Sequence, residues 1–338
     1  MEQGEQRRVL PAIPLRGVSI LPGMITNIDL NRQPSLKALE FAMRNHTNIF
    51  LVTQQKIETD DNNKTTITCE KAKFNIIGKS GEDFSCLPVI EKLDPLVISQ
   101  YTLKEVVRQT IFSIADNENN KLMTGELFDI NGSELKVVSL DGHRISIRKI
   151  QLKNSYDPVK VVIPGKTLNE ISKILSGDAD KDVNIYFTAK HVIFEFDNTA
   201  GVSRLIEGTY FKIDQMLSSD YETKVVINKK ELLSCIDRAT LLVKEGDKKP
   251  IIMNITDEKM ELKINSIIGS MNEDIDIDKN GKDLMIGFNP KFLIDALRVI
   301  DDEKVTLYMV NPKAPCFIKD EEEKYIYLIL PVNFTTVS

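Results

Sequence analysis

The 338-residue chain repeats part of itself, and that repeat constrains the architecture more than any other feature. Val161-Val162-Ile163-Pro164-Gly165-Lys166-Thr167-Leu168 runs into Ile171, Ile174 and Leu175, then into Asp182-Val183-Asn184-Ile185-Tyr186-Phe187. Roughly 120–130 residues later, Met285-Ile286-Gly287-Phe288-Asn289-Pro290-Lys291-Phe292 runs into Ile294, Leu297 and Ile300, then into Lys304-Val305-Thr306-Leu307-Tyr308-Met309. The stretches before them match more loosely: Leu96-Val97-Ile98-Ser99 with Leu103 to Ile114, against Val225-Val226-Ile227-Asn228 with Leu232 to Leu242. Alternating apolar residues mark strands, and apolar residues three and four apart mark helices. Each unit therefore reads strand, helix, then several strands, and two units make a domain. The fold class is α+β with antiparallel sheets and one helix per half-domain.

A chain this long divides into two or three domains, because single cores rarely grow past about 250 residues. No apolar run approaches the ~20 residues that span a bilayer, and the N-terminus lacks a signal-peptide core. Cys69, Cys86, Cys235 and Cys316 are scattered without a C-x-x-C spacing. That pattern reads as reduced, buried thiols in a cytoplasmic protein, with no membrane contact.

Before the regular repeat, Pro11, Pro14, Gly17, Pro22 and Gly23 punctuate short apolar pieces. A strand is expected near Ile25–Leu30, then a helix capped by Ser35, a strand over 48–53, and a hairpin of Thr65–Cys69 with Ala72–Ile77. Asp83–Leu93 reads as a connector. In the repeat, helices are expected near 101–114, 166–175, 229–243 and 290–300. Asn131-Gly132, Asp141-Gly142-His143 and Asn280-Gly281 are turn signals between strands.

The net charge of −6 speaks against nucleic acid only if the charges are evenly spread. They are not. Lys104 and Arg108 lie four apart, Lys166/Lys173, Lys291/Arg298 and Lys37/Arg44 seven apart, and Lys230/Arg238 eight apart. Each spacing puts both cations on one helix face, while the acids cluster elsewhere, as in Asp301-Asp302-Glu303 and Asp320 to Glu323. A single such helix is an ordinary solvated face. Five turned toward a common side would make a basic surface on an acidic protein, suited to sequence-independent attraction of phosphates.

Glu134-Leu135-Lys136-Val137-Val138-Ser139-Leu140-Asp141-Gly142-His143-Arg144 resembles the strand-turn signature of the bacterial DNA polymerase III beta subunit, the sliding clamp. Gly125-Glu126-Leu127-Phe128, Ile163-Pro164-Gly165-Lys166, Ile206-Glu207-Gly208-Thr209-Tyr210, Ile286-Gly287-Phe288-Asn289-Pro290 and Tyr327-Leu328-Ile329-Leu330-Pro331-Val332 extend the resemblance over residues 57–334. It implies a processivity factor in DNA replication, with three domains per chain, here 1–92, 93–219 and 220–338. Two chains would close head to tail into a ring, helices lining the hole and sheets outside. The cations above would face double-stranded DNA without reading its sequence. No chemistry is implied: no catalytic residue, no cofactor and no metal. The implied partners are DNA polymerase III, its clamp loader and other proteins carrying clamp-binding peptides.

By the same resemblance, the peptide pocket would comprise Met123, Leu140, Gly142, His143, Arg144, Ile145, Phe211, Gln215, Met216, Asn289, Phe292, Pro315, Leu328, Ile329, Leu330, Pro331 and Val332. Phe211 stands where the family commonly has Pro, and Gln215 where it often has Arg, so peptide preference is expected to differ. The homodimer interface would set Lys71, Lys73 and Asn75 against Leu241, Leu242, Glu273, Asp274 and Asp276, with opposite charges facing. The two lysines equally suit a solvated edge strand that resists aggregation. His143 has no catalytic partner at a diagnostic spacing and reads as a turn histidine at the pocket rim.

The first ~55 residues depart from the clamp pattern. Leu10-Pro11-Ala12-Ile13-Pro14-Leu15-Arg16-Gly17 through Pro22-Gly23, then Ala38-Leu39-Glu40-Phe41-Ala42 and Ile49-Phe50-Leu51-Val52-Thr53-Gln54, resemble the start of the Lon protease N-terminal domain. No phosphate-binding loop or catalytic Ser–Lys segment follows, so neither proteolysis nor ATP use is implied. Its strand–helix–strand order is the one half of a clamp domain would need before Thr65–Ile77, so the segment either completes that half-domain or is an artificial fusion with a poorly docked N-terminus. Three functions therefore compete: a ring-forming clamp, a clamp-derived peptide-binding module that cannot close, and an adaptor to a protease assembly.

Overall fold

Apolar residues at every second position build the strands, and those at every third and fourth build the helices, in the order the repeat requires. The computed structural model describes residues 11–15, 33–45, 49–53, 56–59, 63–69, 72–79, 94–116, 120–217, 220–243 and 249–334. The chain forms two compact units, Met1–Pro88 and Val89–Ser338.

In the first unit, β1 (Ala12–Leu15), α1 (Gln33–Asn45) and β2 (Phe50–Thr53) precede β3 (Lys56–Thr59), β4 (Lys64–Cys69) and β5 (Ala72–Ile77). β1 and β2 pair in parallel, with Ala12 opposite Phe50. β3, β4 and β5 form an antiparallel sheet in that order, leaving β5 at an edge. Ile13 and Ala42 are buried, whereas Phe74, Ile76 and Ile77 on β5 are exposed. Ser35 is not the N-cap expected of it. α1 starts at Gln33, so Ser35 lies buried inside the first turn. Pro34 sits in that turn too, where its missing N–H leaves no helical bond unmade. The expected strand at 25–30 and the connector at 83–93 lie outside the described residues.

The second unit carries the repeat. Its first copy is β6 (Leu96–Ser99), α2 (Gln100–Thr110), β7 (Gly125–Leu140), β8 (Arg144–Pro164), α3 (Gly165–Ile174), β9 (Asp182–Phe187), β10 (His191–Phe196) and β11 (Thr199–Arg204). The second is β12 (Thr223–Asn228), α4 (Lys229–Thr240), β13 (Ile251–Ile255), β14 (Lys259–Asn265), β15 (Ser270–Asp276), β16 (Asp278–Gly281), β17 (Leu284–Phe288), α5 (Pro290–Val299), β18 (Lys304–Met309), β19 (Cys316–Lys319) and β20 (Tyr325–Ile329). Equivalent helices start with the same device. Ser99 Oγ accepts from the Thr102 amide at 3.1 Å, and Asn228 Oδ1 from the Glu231 amide at 3.0 Å, each satisfying a donor the helix cannot.

Asn131-Gly132 does not turn the chain, contrary to expectation. β7 runs through it, and the register against β8 slips between Ile130 and Glu134. Gly132 takes φ +60°, so the left-handed residue is absorbed as a bulge. The strand expected at 159–163 is likewise the end of the long β8. Asp141-Gly142-His143 does turn, with Gly142 at φ +89°.

Two four-stranded sheets, β11-β10-β9-β6 and β15-β14-β13-β17, flank a seven-stranded one, β16-β12-β18-β19-β20-β8-β7. The large sheet joins the two copies. β20 pairs antiparallel with β8 across the seam, Ile329 opposite Arg144 and Tyr325 opposite Arg148. α2 packs beside α3, α4 beside α5, and α2 meets α5, so the four helices stand in the row α3–α2–α5–α4. Their apolar stripes fill two cores: Leu103, Val106, Val107, Leu168 and Ile171 in one, Leu232, Ile236, Leu293, Ala296 and Leu297 in the other. Each fully buried Leu or Ile contributes about 1.5–3 kcal/mol. Burying the stripe this way leaves the opposite helix face to water.

Candidate functional site

The helix cations do not share one environment. Lys166 on α3, Lys230 on α4 and Lys291 on α5 are exposed, with no ion pair among the described residues. Lys37 and Arg44 on α1 are exposed too. Lys104 is held otherwise: its Nζ donates to the Leu175 carbonyl at 3.1 Å, capping the C-terminal end of α3. Lys229, unremarked in the sequence, does the same for α5, donating to the Ile300 carbonyl at 2.5 Å. Both bonds span 71 residues, so the repeat preserves the device. A cation there meets the negative end of the helix. Lys104 is therefore a half-buried cation that caps α3, unlike the exposed Lys166, Lys230 and Lys291.

Four further cations are paired. Arg108 bonds Glu105 at 2.6 Å and reaches Asp301 at 3.3 Å, and Glu105 first of all raises its affinity for the proton. Lys173 bonds Glu170 at 2.8 Å, and Arg298 bonds Asp237 at 3.2 Å. Arg238 bonds Glu273 on β15, its Nε donating at 3.1 Å. The charge spacing suggests Arg238 for DNA, and the family resemblance suggests Glu273 for the chain–chain interface. α4 packs across β14 and β15, so the last turn of α4 reaches the edge strand and the two charges neutralise one another.

Of the interface residues, Leu241 is 80% exposed, Leu242 half-buried, and Asp274 and Asp276 exposed on β15, an edge strand. Asp274 lies 3.7 Å from Lys259. Asn75 is exposed on β5 and its Oδ1 accepts from Thr66 at 2.9 Å. Lys73 belongs to the same strand, and Lys71 lies outside the described residues.

An apolar cavity of about 400 Å³ opens where the two copies meet. Met123, Leu140, Gly142, His143, Arg144, Ile145, Phe211, Met216, Pro315, Leu328 and Leu330 line it. The two walls come from β7, the turn and β8 on one side, and from β20 and the segment before β19 on the other. The Leu330 amide donates to the His143 carbonyl at 2.9 Å and closes the seam beside the cavity.

The remaining expected pocket residues sit elsewhere. Ile329 points away: side chains alternate along a strand, so it is buried in the core of the second copy while Leu328 and Leu330 face the cavity. Gln215 lines a second, adjoining cavity of about 680 Å³, with Phe211 as the shared wall. Asn289 caps α5, its Oδ1 accepting from the Lys291 amide at 3.0 Å. Phe292 packs behind His143 with the two rings tilted, their centroids 6.0 Å apart. Pro331 and Val332 run past the cavity, and the Val332 amide donates to the Gly287 carbonyl at 2.8 Å.

Arg144 is the buried charge at the rim. Its Nε donates to Asp141 at 3.0 Å, Nη1 to Asp295 at 2.7 Å, and Nη2 to the Phe112 carbonyl at 2.5 Å. Sequence reasoning does not find Asp295 and Phe112. Their only sequence signal is a carboxylate three residues beyond Phe292 on one helix face, too common to single out.

Among the described residues no cluster of His, Cys, Asp and Glu is arranged to hold a metal ion, and no helix is long and apolar enough to cross a membrane. Burial pushes the Cys316 thiol up to about 12.

Repeated half-domains, with their helices in one row against antiparallel sheets, define the sliding-clamp fold. Residues 97–212 match the central domain of the DNA polymerase III beta subunit and residues 214–333 its C-terminal domain. The beta sliding clamp of Staphylococcus epidermidis is 34% identical over 281 residues, 82% of this chain and 74% of the relative. A crystal structure described as a DNA polymerase III beta subunit from Eubacterium rectale is 76% identical, with a TM-score of 0.77 over 83% of this chain and 76% of that one. The Bacillus subtilis sliding clamp is 34% identical, with a TM-score of 0.75 over 83% and 75%. The chain belongs to the DNA polymerase III beta subunit family, the beta sliding clamps.

Proposed function

We propose that the chain is a DNA sliding clamp, a non-enzymatic processivity factor that encircles duplex DNA and tethers DNA polymerase III and repair proteins. The observation that carries this reading is the row α3–α2–α5–α4, which sets exposed Lys166, Lys230 and Lys291 on helices of one layer. Cations so placed attract phosphates without selecting a sequence. The apolar cavity at the seam suits a short partner peptide, with the clamp loader and polymerase as its users. The chain works in this reading as three domains, 1–92, 93–219 and 220–338, in the cytoplasm, without metal or cofactor.

Two strands at the edges of their sheets among the described residues support ring closure in this reading. β5 carries exposed Phe74, Ile76 and Ile77, and β15 neighbours exposed Leu241, Ile267 and Ile268. Unpaired strand edges flanked by apolar side chains favour pairing with another chain, here head to tail in a homodimer. In this reading the Lon-like segment, with β1, α1 and β2, stands in for part of the first domain, and Lys37 and Arg44 are its candidate DNA-facing cations.

The test is retention on DNA. Loaded by a clamp loader onto nicked circular duplex, the protein is expected to co-elute with the circle through gel filtration in high salt, and to be lost when the circle is cut. Equal retention on circular and linear DNA would refute encirclement.

One observation favours a second reading, a clamp-derived peptide-binding module that does not close. The described residues of the first unit hold one helix, whereas the second unit has two per repeat copy. Sedimentation separates the readings: a dimer supports the ring, and a monomer that still binds peptide supports the module.

A further inference from the structure

The guanidinium of Arg144 is anchored from both sides of the seam. Asp141 and Phe112 belong to the first repeat copy, Asp295 and Phe292 to the second. The Arg144 side chain is 8% exposed and that of Asp295 21%, so this ion pair is largely shielded from solvent. The guanidinium also stands between two rings, 4.5 Å from the Phe292 centroid and 5.4 Å from that of Phe112. Phe292 in turn packs against His143, which lines the cavity beside Arg144.

Geometry gives Asp295 a specific place in this chain of neighbours. It lies three residues after Phe292 on α5, so both side chains leave the same helix face. Asp295 fixes one Nη of the planar fork while Asp141 fixes Nε, which leaves the guanidinium plane no freedom to rotate off the Phe292 ring. Without Asp295 the fork keeps only first-copy hydrogen-bond partners, and its polar tie to α5 is gone.

We propose that Asp295 is a positioning residue for the partner cavity. It holds Arg144 against Phe292 and thereby sets the His143 wall, so that the cavity has its binding shape only while the two repeat copies are docked. A bound peptide then tightens the seam in return, since coupling between two equilibria is reciprocal. This proposal rests on the reading of the cavity as the site for partner peptides.

The experiment uses the full chain and a labelled probe. Overlapping short peptides tiling the DNA polymerase III catalytic subunit are screened, and the strongest binder is labelled with fluorescein for anisotropy. Asp295→Asn, which removes the charge and keeps the shape, is expected to weaken binding on the order of tenfold, a typical coupling within one network. Asp295→Glu keeps the charge and is expected to retain most of the affinity. Arg144→Lys, which loses the fork, is expected to weaken binding at least as much as Asp295→Asn. Glu222→Gln removes an ordinary surface pair to Lys282 and is expected to change nothing.

Hydrogen exchange supplies the readout that a merely structural role would not move. Saturating peptide is expected to slow exchange of the Leu330 amide, which donates to His143 across the seam, in the wild type and much less in Asp295→Asn. A folded Asp295→Asn that binds the probe like wild type, or unchanged Leu330 exchange on binding, would overturn the proposal. Met216→Glu, which puts a charge into the exposed lip of the cavity, distinguishes the two levels. If the wild type binds no tiled peptide, or if binding survives Met216→Glu, the pocket reading fails and takes the proposal with it. Binding that Met216→Glu abolishes but Asp295→Asn leaves intact overturns the proposal alone.

Discussion

Replacing Glu126 by Gln should make this protein's stability less dependent on pH. Glu126 lies on β7 opposite Ile163, fully buried, and neither of its carboxylate oxygens has a hydrogen-bond partner among the described residues. Burial pushes its carboxyl up to about 8, from an ordinary value of 4.5, against a smaller opposing pull from the nearby Thr110 hydroxyl, which itself donates to the Val106 carbonyl. Below the ordinary value both folded and unfolded chains hold the proton, and stability is complete. As pH rises, the unfolded chain releases its proton first, so stability falls until the folded carboxyl also ionises near 8. Each pH unit inside that window is worth about 1.4 kcal/mol. Between about pH 5.5 and about pH 7.5 the wild type should therefore lose about 2–3 kcal/mol that Glu126→Gln does not. Urea denaturation of both proteins at the two pH values measures this directly. A difference between wild type and variant that stays constant across pH would refute a neutral, buried carboxyl at this site.

Changing Lys166, Lys230 and Lys291 together to Ala should flatten the salt dependence of DNA binding, by about 0.9 in log–log slope for each phosphate no longer neutralised. The same measurement on Arg298→Ala, whose cation is already paired with Asp237, should show a smaller change. Lys104→Met and Lys229→Met should each cost about 1–2 kcal/mol in urea denaturation, and by similar amounts, because the two lysines cap equivalent helices. Gly281→Ala should be among the most damaging surface changes, measured as a drop in Tm. Gly281 has φ +109°, and an added Cβ would run into the Glu222 carbonyl.

The elements were largely legible because their signals are local. Apolar alternation in Asp182–Phe187 and Lys304–Met309 is strong enough that both form the strands expected, and α5 ends within a residue of its predicted limit. The set proposed for the cavity came from the family resemblance, and Leu140, Leu328 and Leu330 reach its lining because alternate side chains share one side of the chain path. Ile329 belongs to the same motif but lies in the core, because the two-residue period turns every second side chain inward. Charges were harder. Nothing in the spacing of Lys104 and Arg108 says that the first caps a neighbouring helix and the second pairs with Glu105, since both partners are set by packing. Arg238 and Glu273 are 35 residues apart and meet only because α4 crosses β15. Asn131-Gly132 carries a turn signal that a bulge satisfies equally well, and only the pairing of the flanking strands decides between them.

The central claim is that the helix layer faces DNA while the sheets face away, and site-specific photocrosslinking tests it most directly. A photoreactive side chain is placed in turn at Lys166, Lys230 and Lys291, and at Lys282 and Lys212 as exposed positions off the helices. Each protein is loaded onto nicked circular duplex and illuminated. The account predicts DNA adducts from the three helix positions and none from the other two. Adducts from Lys282 or Lys212, with the helix positions silent, would contradict it.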